Sequence, residues 1–135
     1  MFIINCKNYD EISGDKIIKL AKISQKISKK YKIPIAIAPP HHLIPLIVKF
    51  NVIVLAQHLD DKKIGSTTGF MIPEIVKKSK ISGSLINHSE HRIPEKEIKN
   101  LIKRLKRLKL KTVLCLSLIH ISEPTRPRLI SYAVF

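Results

Sequence analysis

Tryptophan is absent from these 135 residues, and tyrosine and phenylalanine together number seven (three Tyr, four Phe). With aromatics at 5%, the stacking platforms that hold single-stranded nucleic acid are scarce. The two cysteines, Cys6 and Cys115, lie far apart, match no metal-ligand spacing and make no disulfide framework. They read as free thiols in a reducing compartment. Glycine occurs four times, and no Gly-rich phosphate fingerprint follows the first apolar run. No apolar run is long enough to span a membrane, and no signal-peptide pattern opens the chain. A soluble, cytoplasmic protein with no membrane partner is the expectation. Hydrophobic residues make up 44%, which excludes a disordered composition. The length suggests one domain.

Acidic residues are also few. Ten stand against 25 basic ones, giving a formal net charge of +15. Such an excess fits nucleic acid or an anionic surface. It fits equally an AT-rich coding bias toward Lys and Ile, with the charge spread over helix faces. The densest basic stretch, Lys99 to Lys111, carries Ile98, Leu101, Ile102, Leu105 and Leu108 at spacings of three and four. That pattern predicts an amphipathic helix with a solvated basic face rather than a specific nucleic-acid site.

What is present is a regular alternation. Phe2 to Asn5, Pro34 to Ala38, Val52 to Ala56, Gly83 to Asn87 and Lys111 to Cys115 read as strands. Between them, helices are predicted from Asp15 to about Lys30, His41 to Phe50 with a break at Pro45, Met71 to Lys80, and Pro94 to about Leu108. The first of these draws its apolar stripe from Ile17, Leu20, Ala21, Ile23 and Ile27. The strands are continuous apolar runs, so a parallel sheet buried on both faces follows. The unit repeats at about 25 residues, as in a (β/α)8 barrel, and about four and a half βα units are present. The fold class is therefore α/β, an incomplete barrel with parallel strands. An open doubly wound sheet lacks the phosphate fingerprint that would support it. In a barrel, chemistry collects at the C-terminal ends of strands, where Asn5, Lys7, Gln57 and His88 fall.

The run Leu85-Ile86-Asn87-His88-Ser89-Glu90-His91-Arg92 places a histidine just past a strand and before a helix opened by Pro94. Asn5 and Lys7, two apart, end the first strand. With these go Ile4 through Tyr9, Ala38-Pro39-Pro40, Ala56-Gln57-His58, Gly65 through Gly69, and Pro73-Glu74. In this order and spacing the pieces resemble the triosephosphate isomerase family, its short archaeal branch in particular, over residues 1 to about 115. The resemblance implies the TIM barrel and the interconversion of dihydroxyacetone phosphate and glyceraldehyde 3-phosphate through an enediol, in glycolysis and gluconeogenesis. It implies no cofactor and no metal. By the same resemblance His88 is the electrophile, a neutral imidazole donating to the carbonyl. Lys7 supplies positive charge to the phosphate and the enediolate, and Asn5 orients a substrate oxygen. Glu90 either holds the Lys7 ammonium or is a solvated first-turn residue, and Gln57 supports the site from behind. Thr68 resembles a residue that reaches into a neighbouring subunit's site, or is a plain turn residue. Cys6 points away and packs. The intact parent is expected to be a homo-oligomer, a dimer or tetramer.

The resemblance also implies parts that this sequence lacks: a glutamate base after strand six, with a lid, and phosphate loops beyond it. No catalytic base is identified in this chain. After Cys115 the family pattern stops. Leu116 to Arg126 resembles the in-frame translation of a transposase sequencing adapter, and Ile130 to Phe135 the constant primer segment that follows it. Residues 1–115 are thus expected to be barrel, and 116–135 a non-native tail. The expected consequence is an inactive fragment with two open sheet edges, prone to aggregation or molten when isolated. Two other readings stay open: a basic nucleic-acid-binding module, and a half-barrel that assembles with another chain.

Overall fold

A computed structural model describes residues 1–116; the expected tail from 116 onward lies, but for its first residue, outside them. Five parallel strands are present: β1 (Phe2–Asn5), β2 (Ile35–Ala38), β3 (Ile53–Ala56), β4 (Gly83–Ile86) and β5 (Lys111–Leu114). Each pairs with the next along the chain, so spatial order equals sequence order. A doubly wound sheet reverses its order at a switch point. This one never does, and it curls into half a barrel.

The helices are α1 (Lys16–Tyr31), α2 (Ile44–Ile47), α3 (Pro73–Lys78) and α4 (Glu95–Arg107). Pro45 lies in the first turn of α2, where its missing N–H costs nothing. The expected break takes the form of a short 3-10 turn, His41–Leu43, ahead of it. α3 is shorter than its pattern predicts. Its expected first residue, Met71, instead donates its N–H to the Asp60 carboxylate in the preceding loop.

Pleat explains the core. In β2, Ile35 and Ile37 point to the helices, while Ala36 and Ala38 point to the barrel interior with Leu55, Leu85 and Val113. Ile17, Ala21, Leu101 and Leu105 are fully buried on the outer face of the sheet. Where β4 meets β5, Gly83 is required by proximity: a Cβ there would lie 2.1 Å from the Lys111 carbonyl oxygen.

Two helical expectations need correction. Ile23 and Ile27 are 56% and 41% exposed, and with Tyr31 they form an outward stripe on α1. The docked face is instead Ile17, Ala21 and Ser24, because α1 rests on β2 and α2 along one side only. On α4, Ile102 is exposed, and the basic face is not wholly solvated. Arg104 turns inward and grips Glu74 with Nε and Nη2, Asp61 with Nη1, and the Lys62 carbonyl with Nη2. Among the described residues, no helix is long and apolar enough to cross a membrane.

Candidate active site

An open cavity of about 820 Å³ lies at the C-terminal ends of the strands. Asn5, Lys7, Gln57, His88 and Glu90 line it, together with Tyr9, Asp60 and four further histidines, His41, His42, His58 and His91. The chain has six histidines, so nearly all converge here.

β1 ends at Asn5, whose Oδ1 accepts the Lys7 N–H at 3.1 Å. That bond closes a tight turn and puts Lys7 in the left-handed region at φ 50°. Strand periodicity predicted a shared side for Asn5 and Lys7; a backbone reversal is what brings both into the cavity. For a residue with a Cβ the conformation costs about 1–2 kcal/mol, so neighbours must hold it. Gln57, just past β3, does so: its Nε2 donates to the Lys7 carbonyl at 2.8 Å and to the Ala38 carbonyl at 3.2 Å. One amide thus ties the ends of β1 and β2 together from behind the cavity. Cys6, between the two polar residues, is buried. Desolvation pushes its thiol up to about 11.

Lys7 Nζ donates to Glu90 Oε1 at 2.8 Å. The pair fixes both charges: the hydrogen bond to Glu90 raises Lys7 above its ordinary value, and the same bond holds Glu90 below the usual carboxylate range. Both are solvent-accessible, so the pair positions the ammonium more than it stabilises the fold.

His88 follows β4 by way of Asn87, another left-handed residue at φ 59°. Asparagine tolerates that conformation better than most residues. Its side chain donates to the Cys115 carbonyl and accepts the Ile93 N–H, while Arg92 Nη1 donates to its carbonyl. Asn87 and Arg92 thus hold the crossover from β4 toward α4, a role their place in the sequence motif does not itself disclose. His88 Nδ1 accepts the Glu90 N–H at 3.3 Å. The tautomer that fits this bond carries its N–H on Nε2; the same Nδ1 lies 3.6 Å from Glu90 Oε2.

Thr68 is exposed and does not line the cavity. Asp60 is occupied: Oδ2 accepts the Met71 N–H at 2.7 Å and Oδ1 lies 3.4 Å from His58 Nε2. His41 was not singled out by the sequence, and His58 stood there only as the end of the Ala56-Gln57-His58 piece, with no role; histidine crowds just after β2 and β3. Among the described residues, no three His, Cys, Asp or Glu side chains converge as metal ligands. The arrangement can present a cation and a neutral N–H donor to one anionic, carbonyl-bearing molecule. Both carboxylates that line the cavity are already engaged.

A family model described as triosephosphate isomerase matches residues 1–121. The chain is 46% identical over 115 residues to a triosephosphate isomerase of Cenarchaeum symbiosum, covering 85% of this chain and 52% of that protein. It is 38% identical over 125 residues to that of Saccharolobus solfataricus, covering 92% of this chain and 55% of the relative. A crystal structure of triosephosphate isomerase from Bartonella henselae superposes with a TM-score of 0.70 at 20% identity, over 86% of this chain and 50% of that one. At that identity the likeness bears on the fold alone. The chain spans about half the length of the curated relatives it matches.

Proposed function

The chain belongs to the triosephosphate isomerase family, and from that premise we propose that the full product of its locus interconverts dihydroxyacetone phosphate and glyceraldehyde 3-phosphate through an enediol. The observation that carries the reading is the meeting of Lys7, held by Glu90 at 2.8 Å, with His88, whose Nδ1 is an acceptor. As the substrate carbonyl gains negative charge, Lys7 and the Nε2–H of His88 stabilise the developing oxyanion. Asn5 orients the same oxygen, and Gln57 keeps the Lys7 backbone in its left-handed turn.

The proton must be carried between adjacent carbons by a free carboxylate. Glu90 and Asp60 are engaged, and the family resemblance puts the base and the phosphate-gripping loops in a later part of the barrel, outside residues 1–116. On this reading the 135-residue chain alone is without turnover. The intact protein works in the cytoplasm without a cofactor, in glycolysis and gluconeogenesis, as a dimer or tetramer in which Thr68 contacts the neighbouring subunit.

Residues 116–135 are assigned to a translated adapter. The family match reaches residue 121, so codons 116–121 are where that assignment is most exposed. Independent reads of the locus decide it: the adapter codons found in the genome would sink it. A second reading, a half-barrel completed by another chain, draws on the outward apolar stripe of α1 and on β1 and β5, each paired on one side only among the described residues.

The activity test is a coupled assay on the full product. His88→Gln should lower kcat about 100-fold or more. Unchanged turnover in that variant would remove His88 from the mechanism.

A further inference from the structure

We propose that His91 is a positioning residue, whose imidazole stacks on His58 and thereby holds the 88–91 turn with His88 toward the cavity and Glu90 within reach of Lys7. The consequence for catalysis rests on the isomerase reading; the stack itself does not.

His58 is a fixed platform. It is buried, its backbone N–H donates to His41 Nε2 at 3.2 Å, and its Nε2 faces Asp60 at 3.4 Å. Asp60 is itself locked by the Met71 N–H, and its own N–H donates to the Met71 carbonyl at 3.0 Å. Against this platform lies the His91 ring, 3.8 Å between centroids and 14° from parallel. The 88–91 turn otherwise has little to hold it. Ser89, Glu90 and His91 are exposed, and the turn closes on one backbone bond, His91 N–H to the His88 carbonyl at 2.8 Å. The stack is the turn's side-chain anchor on the β3 side of the cavity, as the Glu90–Lys7 bond is on the β1 side.

Such a stack tolerates one proton but resists two, because imidazolium rings this close repel. The groups facing His58 are His41 from the segment after β2, Asp60 from its own loop, His91 from the turn, and Glu97 from α4. The carboxylates favour its proton, while burial first and His91 second oppose it, and the outcome is a value below the ordinary one. His41, facing His58 and Asp60, is lowered too, chiefly by burial. The sign follows from His58: the stack is intact at neutral pH and weakens as pH falls through the lowered value of His58, freeing the turn.

The test uses imidazole nitrogen NMR and steady-state kinetics on the full product of the locus, with His91→Asn and His91→Phe. Phenylalanine keeps a flat ring without a proton. In the wild type, the His88 signals should shift at the pH where His58 gains its proton. His91→Asn should move them already at pH 8 and lower kcat by about tenfold to a hundredfold with little change in KM. His91→Phe should restore both and abolish the shift linked to His58. His88 signals that are identical in all three proteins and do not move where His58 gains its proton would overturn the proposal. The two readings fail separately: linked shifts without turnover sink the isomerase assignment, and turnover with unlinked shifts sinks the stack.

Discussion

Replacing Arg104 with methionine removes a cation that holds three segments together. Its guanidinium joins Glu74 in the first turn of α3, Asp61 in the loop after β3, and the Lys62 carbonyl to α4. The side chains of Arg104, Asp61 and Glu74 are 12%, 18% and 29% exposed. Breaking a fully buried pair by deleting one partner costs about 3–5 kcal/mol. Glu74 keeps part of its hydration here, so about 2–3 kcal/mol is expected. In urea, at a slope of about 2 kcal/mol per molar, the midpoint should fall by about 1–1.5 M. The pH dependence gives a sharper check. The Arg104 hydrogen bond lowers Glu74 from an ordinary value of 4.5. A depressed carboxyl contributes stability that is present above the unfolded value and lost as pH falls through the folded one. The gap between wild type and Arg104→Met should therefore hold from pH 7 to pH 5 and narrow below 4.5. Arg104→Met combined with Glu74→Gln should recover about 1 kcal/mol, since it removes a stranded carboxylate. A gap under about 0.5 kcal/mol at pH 7, or one equally wide at pH 3.5, would refute the clamp.

Gly83→Ala places a methyl against the Lys111 carbonyl at 2.1 Å, so β5 must part from β4. A loss of at least about 1–3 kcal/mol is expected by thermal or urea unfolding, and a neutral result would disprove the tight register. Cys6, buried with its thiol pushed up to about 11, should resist iodoacetamide at pH 8 in folded protein and react fast in urea. Rapid native labelling of Cys6 in the isolated 135-residue chain would show that its half-barrel does not hold closed.

β1, β2 and β3 were legible as short, nearly continuous apolar runs, and Phe2–Asn5 has the bounds its sequence suggests; β4 and β5, which open on Gly83-Ser84 and Lys111-Thr112, were legible from the regular spacing of the βα units. Helix existence was legible too. Helix orientation was less so: Ile23 and Ile27 fit the same apolar period as Ile17 and Ala21, and only the placement of α1 on β2 decides which face is inward. Charge hid the clamp, since Arg104 sits in a basic run whose other members are solvated, and its partners lie 30 and 43 residues away. At the site, the convergence of Asn5, Lys7, Gln57 and His88 on one cavity was legible because strand ends of a parallel barrel are where side chains converge. The turns were not. The left-handed Lys7 and Asn87 each combine a local bond, Lys7 N–H to Asn5 Oδ1 and Arg92 Nη1 to the Asn87 carbonyl, with one that crosses between units, Gln57 Nε2 to the Lys7 carbonyl and Asn87 Nδ2 to the Cys115 carbonyl. His58 and His91 meet only because β3 and β4 are neighbours.

Spatial order that equals chain order has a consequence for synthesis. Each new strand finds its partner in the strand made just before it, so every pairing described here closes a loop of a few tens of residues. Such a sheet can be laid down strand by strand as the ribosome delivers it, with helices docking behind. The exception in any closed barrel of this order is the seam between first and last strands. β1, with Phe2 61% exposed, is translated before the other four described strands and in such a barrel waits longest for its second neighbour. During that wait its unpaired edge is the surface a nascent-chain chaperone would need to shield.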